Sequence, residues 1–184
     1  MKRFLSLMVA VATVVAVAAV AFALAPATTA QSDSFTLMEF NIMHGAPRPY
    51  AGTGATNAIR GIAAGGLPWV LTAANGELKG SGHLEIRVKG LVFDPNDPGV
   101  IAAGRAGDNP VANFVAVVSC QTVVNGLAEV VNVATPPFPA TTGLATDGGG
   151  NASFEGNLSL PSPCLAPIVF VGPSSTTWFA ITGH

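Results

Sequence analysis

Hydrophobic and polar positions alternate with a period of two in most apolar segments of this chain. The clearest case is His83–Lys89, where Leu84, Ile86 and Val88 alternate with charged or polar neighbours. This pattern is typical of a strand with one face toward the core and the other toward water. Residues 112–124 are apolar on both faces, so we expect a second long strand in the centre of a sheet.

Shorter apolar segments with strand character lie at residues 35–40, 69–73, 127–133, 152–160, 168–171 and 178–181. Turn sequences separate them: Asn75-Gly76 and Asn125-Gly126 predict type I′ hairpins, and residues 94–99 form a Pro- and Asp-rich turn cluster. No segment beyond residue 30 has a convincing helical period. The sequence therefore predicts an all-β domain, an antiparallel β-sandwich of about seven strands with an immunoglobulin-like or related Greek-key order.

The N-terminal segment has a different pattern. Two basic residues precede an uncharged apolar run over 4–24, and small residues follow as far as Ala30. These features are typical of a secretory signal peptide, which we expect to be cleaved after Ala30 rather than after Ala25, because Pro26 would follow the earlier cut. The run is also about as long as the ~20 residues that span a bilayer, so an uncleaved membrane anchor is the alternative.

Three regions follow from these patterns: a signal peptide at 1–30, an N-terminal extension or linker rich in Gly and Pro at 31–66, and a β-sandwich domain at 67–184. Signal cleavage leaves six basic residues against ten acidic ones, a formal net charge of −4. A mildly acidic, sparsely charged domain has no electrostatic footprint for nucleic acid or anionic lipid. We therefore expect a secreted protein with no membrane span after cleavage and with an extracellular protein or carbohydrate as its partner.

The two cysteines, Cys120 and Cys164, both lie in the predicted secreted part. In an oxidising compartment such a pair is expected to form a disulfide, and a loop of this length gives a stabilisation of about 4 kcal/mol. We expect the bond to connect distant β segments and to bridge the two sheets. A catalytic thiol or a metal pair is the alternative, but no His lies near either cysteine, since the chain has only His44, His83 and His184.

Three segments together resemble a group of small exported bacterial proteins with a single β-sandwich-like domain. They are Gly65–Val70, Leu160–Val171 and Trp178–Gly183. The resemblance covers roughly residues 60–183. It implies export and a single domain, and it implies no catalytic residues.

The segment Thr36–Gly45 resembles the first strand of the endonuclease/exonuclease/phosphatase family. That resemblance implies a metal-dependent phosphoesterase in which Asn41 and Glu77 help to hold a divalent cation, while Asp108 and His184 act on the phosphodiester. The chain departs from the family in two ways. It lacks the helices of that α/β fold, and the expected Asp does not precede His184.

The sequence contains two weaker candidate sites, one for Ca²⁺ and one for a binding partner. Asp94, Asn96 and Asp97 could offer oxygen ligands to Ca²⁺, although the same residues form a turn sequence. Trp69 and Trp178 lie near predicted strand ends, where partial exposure would suit a binding surface. The main hypothesis is a non-enzymatic exported β-sandwich domain without a cofactor, used for extracellular binding or cell-envelope structure. A secreted phosphoesterase and a Ca²⁺-stabilised adhesion-type module are the alternatives.

Overall fold

A computed structural model describes residues 35–52 and 57–182, and these residues belong to one compact unit. The predicted signal peptide, its cleavage site and His184 lie outside the described residues. The strands in chain order are β1 (Thr36–Phe40), β2 (Met43–Gly45), β3 (Ala63–Ala64), β4 (Trp69–Val70), β5 (Ala73–Lys79), β6 (His83–Lys89), β7 (Val92–Phe93), β8 (Asp108–Asn109), β9 (Asn113–Val124), β10 (Leu127–Ala134), β11 (Phe138–Pro139), β12 (Gly143–Leu144), β13 (Ala152–Asn157), β14 (Leu165–Gly172), β15 (Thr177–Trp178) and β16 (Ala180–Thr182).

Two principal sheets carry the fold. The four-stranded sheet has the order β1-β5-β6-β13, and the larger sheet has the order β10-β9-β14-β16-β2, with β11 also paired to β9. Pairings within both sheets are antiparallel, and buried residues of both belong to one hydrophobic cluster. The predicted antiparallel all-β, sandwich-like class is therefore confirmed.

The central position predicted for residues 112–124 is also confirmed. Strand β9 pairs with β10 on one side and with β14 on the other, and residues 114–120 are buried on both faces. One face of β9 points toward the four-stranded sheet. Phe138 of β11 pairs with Phe114 of β9, and the ring centroid of Phe138 lies 5.4 Å from that of Phe154 in β13. A strand covered on both faces requires apolar residues at successive positions, as the sequence has here.

The described part of the predicted extension at 31–66 contributes to both sheets. Strand β1 pairs with β5, and β2 pairs with β16. Phe40, Met43 and Ile62 are buried in the shared core. Residues 36–40 thus form a strand within the apolar segment expected at 35–40, and this strand lies at an edge of the four-stranded sheet. The described Gly- and Pro-rich residues after it pack onto the larger sheet instead of forming a free linker.

One local prediction was wrong and a second was incomplete. Asn75-Gly76 lies inside β5, and the chain reverses at Gly80–Gly82. Residues 94–99, expected to be only a turn cluster, begin a short helix, α1 (Pro98–Ala102). Asp97 caps this helix by accepting hydrogen bonds from the backbone N–H groups of Gly99 and Val100, and Pro98 at the first position suits a helix start.

Candidate functional site

The β9–β10 hairpin contains four of the ten large apolar residues that are exposed in the described structure. Its turn is Asn125-Gly126, and both residues have positive φ, 52° and 80°, as a type I′ turn requires. The register is regular along the whole hairpin, from Leu127 opposite Val124 to Ala134 opposite Val117. The predicted hairpin at this Asn-Gly pair is confirmed.

The base of this hairpin is covered on both faces. The face away from the four-stranded sheet is covered by the described residues between 46 and 65, where Arg60 donates from Nη1 to the carbonyl of Ser119 at 2.8 Å. Asn132 of β10 donates in return to the carbonyl of Arg60 at 3.0 Å. Partial burial lowers the pKa of the Arg60 guanidinium through desolvation.

The tip of the hairpin is uncovered. Exposed apolar side chains lie on both of its faces: Val123 (53 % exposed), Val124 (41 %), Leu127 (73 %) and Val130 (43 %). Leu165 of β14, opposite Gln121, is also exposed and continues the patch into the neighbouring strand. We call Val123, Val124, Leu127, Val130 and Leu165 the apolar tip. Clustered exposed apolar residues mark interaction sites more often than singly scattered ones do.

The outer edge of β10 has unpaired backbone groups. A two-residue turn makes Val124 and Leu127 a hydrogen-bonded pair, so hydrogen-bonded and non-bonded pairs alternate from there. The bond from the Thr135 backbone N–H to the carbonyl of Ala116 fits the same alternation. Ala128, Val130, Asn132 and Ala134 therefore direct their N–H and C=O groups away from β9, and among the described residues β10 pairs with no strand on that side.

A disulfide holds the base of the hairpin. Cys120 of β9 and Cys164, just before β14, are bonded with an S–S distance of 2.01 Å and a Cα–Cα distance of 4.9 Å. The predicted pairing is confirmed, but the expectation that it bridges the two sheets was wrong. The bond joins neighbouring segments of one sheet, because Leu165 pairs with Gln121 next to the bonded cysteines.

A second surface, the outer face of the four-stranded sheet, is polar. The register sets Glu39, Glu77, Glu85 and Glu155 in one row across all four strands. We call these residues the glutamate row. Three of them have basic neighbours: Arg87 pairs with Glu85, Lys79 Nζ lies 3.8 Å from Glu77, and His83 Nε2 lies 3.8 Å from Glu155.

The phosphoesterase candidates are only partly brought together. Asn41 and Glu77 line a shallow depression of about 310 Å³ beside Glu85 and Arg87. Asp108 lies elsewhere, in β8, where its carboxylate accepts from Arg105 at 3.1 Å. Residues 35–52 and 57–182 contain no group of three His, Cys, Asp or Glu side chains placed to hold a metal ion.

The three Ca²⁺ candidates have structural contacts of their own. Asp94 accepts from the backbone N–H of Asn96, an Asx turn. The Asp97 carboxylate accepts from two helix N–H groups and from Arg48, whose Nε lies 2.8 Å from Oδ2. The Arg48 guanidinium, together with these backbone bonds, lowers the pKa of Asp97 to about 2. A carboxylate already paired with a guanidinium is a poor ligand for a second cation.

Neither tryptophan lies on the surface, so the expected partial exposure was wrong. Trp69 is stacked on Phe179 with ring centroids 3.7 Å apart, and it also contacts Phe93. Trp178 lies between Tyr50 and Phe170. Each indole is almost fully buried, so both rings belong to the core.

The apolar tip cannot be recognised from the sequence, because the apolar patterns of β9 and β10 predict strands but do not indicate what covers them. Among the described residues there is no helix long and apolar enough to cross a membrane.

In comparisons with known proteins, no family model matches the chain, and no curated protein or solved structure is significantly similar to it.

Proposed function

We propose that this protein is an exported, non-enzymatic β-sandwich domain that binds another protein outside the cytoplasm through the β9–β10 hairpin. One observation carries the proposal: the apolar tip lies directly beside a row of unpaired backbone groups on the edge of β10. An exposed edge strand of this kind is a template for pairing with a further strand. Binding by strand addition would use both features at once.

The free edge favours a protein partner over a lipid surface. A bilayer can bury the side chains of Leu127 and Val130, but it cannot satisfy the outward N–H and C=O groups of β10. Nucleic acid is disfavoured as well, because Glu129 is the only charged residue in β10 and phosphate binding depends on Lys and Arg. An extended polypeptide supplies both the apolar contacts and the missing hydrogen bonds.

Two further features support export. The Cys120–Cys164 bond suits an oxidising compartment, since disulfides form and persist outside the cytosol. The apolar 4–24 segment with its small-residue end has the pattern of a signal peptide. Bond and signal pattern are independent, and they favour the same compartment.

Site-specific photo-crosslinking tests the proposal. A photoreactive residue placed at Val130, in the full chain expressed by a host that exports it, should give a covalent adduct with a second polypeptide. The matched position is Glu155, which is also exposed on an edge strand but belongs to the glutamate row. Adducts at neither position, or at Glu155 alone, would refute binding through the hairpin.

A further inference from the structure

We infer that the polypeptide that pairs with β10 is a second copy of this chain, in an antiparallel arrangement about a two-fold axis beside Val131. This inference rests on the binding role proposed above for the β9–β10 hairpin. It names the partner and the register.

The backbone of β10 restricts how two copies can pair. In antiparallel pairing, residues that lie directly opposite each other point to the same face of the sheet. A two-fold axis perpendicular to the sheet does not exchange the two faces, so the axis must pass between a residue and the same residue of the second copy. With the axis at Val131, Val130 lies opposite Asn132 of the second copy, and Ala128 lies opposite Ala134. These four residues are the ones whose N–H and C=O groups point outward, so the unpaired groups of each edge bond to the other.

Only this axis pairs all four of these residues with one another, and charge disfavours the two registers nearer the turn. Glu129 is the only charged residue in β10. An axis at Glu129 would set two carboxylates directly opposite each other, which is destabilising, and an axis at Val130 would leave them diagonal neighbours. An axis at Val131 sets each Glu129 opposite Val133 and moves the two carboxylates farther apart.

The shape of the hairpin is also self-complementary. Antiparallel pairing lays the exposed Leu127 of one copy beside Thr135 at the base of the other. That base has material on both faces: the four-stranded sheet on one, and the Arg60 turn, which bonds to Asn132, on the other. The uncovered tip of each copy therefore lies against the covered base of the other copy's hairpin. The two-fold axis repeats this contact, so both tips are covered in the same way.

Such pairing is closed. Each copy uses its single β10 edge, and the opposite edge of the larger sheet is β2, a strand of only three residues. Dimerisation would thus remove the long free edge without creating a chain of copies, a common way in which sheet proteins avoid aggregation.

Sedimentation equilibrium of the exported protein, over a concentration series, tests the inference with one matched pair of variants. The Val130 N–H points away from β9, so Val130→Pro removes a donor that the fold does not use. We expect the wild type to dimerise, Val130→Pro to raise the dimer dissociation constant by at least about tenfold, and Val130→Thr, which keeps the N–H, to change it by less than about threefold.

Hydrogen exchange of the wild-type protein provides a second measurement that needs no variant. Amides of Ala128, Val130, Asn132 and Ala134 should gain protection as the concentration rises, whereas the alternate amides of β10 are already bonded to β9 and should not change. Protection without this alternation, or a dimer that persists in Val130→Pro, would overturn pairing through the free edge of β10.

The outcomes separate this inference from the proposed function. A protein that stays monomeric, but whose Val130 photoadduct contains a different polypeptide, refutes self-pairing and supports hairpin binding. A monomer without any Val130 adduct refutes both. A wild-type protein that is monomeric yet floats with phosphatidylcholine vesicles would show that the apolar tip binds lipid instead.

Discussion

The edges β10 and β1 belong to the same molecule but differ in length and in regularity, two features that govern strand pairing. Strand β10 has eight residues, a regular register with β9 and one charged side chain. Strand β1 has five residues, an irregular register with β5 between Thr36 and Met38, and Glu39 beside Glu77. Short length, irregularity and charge are the devices that prevent pairing at an edge. The molecule applies the first two at β1 and neither at β10; each strand has one glutamate, but Glu39 lies opposite Glu77 whereas Glu129 lies opposite Thr122.

This difference indicates where a partner is expected. Residues of both sheets form one hydrophobic core, and the stability of that core gives no reason for either edge to be left unpaired. An unprotected apolar edge is a liability for a monomer unless something covers it. Variants that change one of the two edges at a time test this difference.

Removing the disulfide should have the largest effect. Replacing Cys120 and Cys164 with Ala frees the base of the hairpin from its neighbouring segment, whose sequence separation is 44 residues. We expect the free energy of unfolding to fall by about 4 kcal/mol, measured by urea denaturation. Reduction of the wild-type protein is the control and should give a similar loss. An unchanged denaturation midpoint in both would contradict the prediction.

Gly76→Ala should weaken the β1 side. A Cβ at Gly76 would overlap the Phe40 ring and the carbonyl oxygen of Glu85. We expect a loss of about 3 kcal/mol in the free energy of unfolding, because the ring and the backbone must both move.

Gly126→Ala at the hairpin turn is the matched variant. A Cβ there would meet nothing within 4 Å, and only the positive φ of 80° opposes the substitution. The expected loss is about 1 kcal/mol, so equal losses for Gly76→Ala and Gly126→Ala would show that the Phe40 contact has no special role.

These two glycines also show what local sequence can predict. Asn125-Gly126 and Asn75-Gly76 are the same dipeptide, yet only the first forms a turn. In β5 the glycine is used for its missing side chain, since Phe40 of a neighbouring strand fills the space above it. That contact is 36 residues distant in sequence and left no local signal. The pattern of apolar residues nevertheless predicted the all-β class, the central position of β9 and a strand within 35–40.

The candidate site was less predictable than the fold. Two apolar faces in 112–124 indicate a central strand, but the cover of the face away from the four-stranded sheet depends on the described residues between 46 and 65, which the sequence alone suggests are a linker. Where that cover ends, the same kind of residue becomes exposed at the apolar tip. Cys120 and Cys164 were predictable as a pair because the pairing depends on cysteine count and compartment, whereas the sheet that they join depends on topology.

The covering segment at the base of β10 has an acid-sensitive contact that β1 lacks. Arg48 pairs with Asp97, and the pKa of Asp97 is lowered to about 2 from an ordinary value of 3.8. A lowered pKa in the folded state contributes stability that is complete above pH 4–5 and is lost as the pH falls through about 2. The difference in unfolding free energy between the wild type and Asp97→Asn should be constant near neutral pH and shrink from pH 4 downward, measured by urea denaturation at each pH. A difference that grows below pH 4 would contradict the assignment.

The smallest expected effect concerns the charge that protects β1. Glu39 lies directly opposite Glu77, and like charges in this position are destabilising. Glu39→Gln should therefore stabilise the fold by about 0.5 kcal/mol at low salt, and the gain should vanish at 1 M salt, where the screening length is about 3 Å. Glu155→Gln is the matched control. Glu155 also faces a glutamate across its strand pair, but it has His83 Nε2 at 3.8 Å, so its replacement should gain less. If Glu39→Gln destabilises the protein, or if its gain is independent of salt, then repulsion within the glutamate row is not what distinguishes the protected edge from the open one.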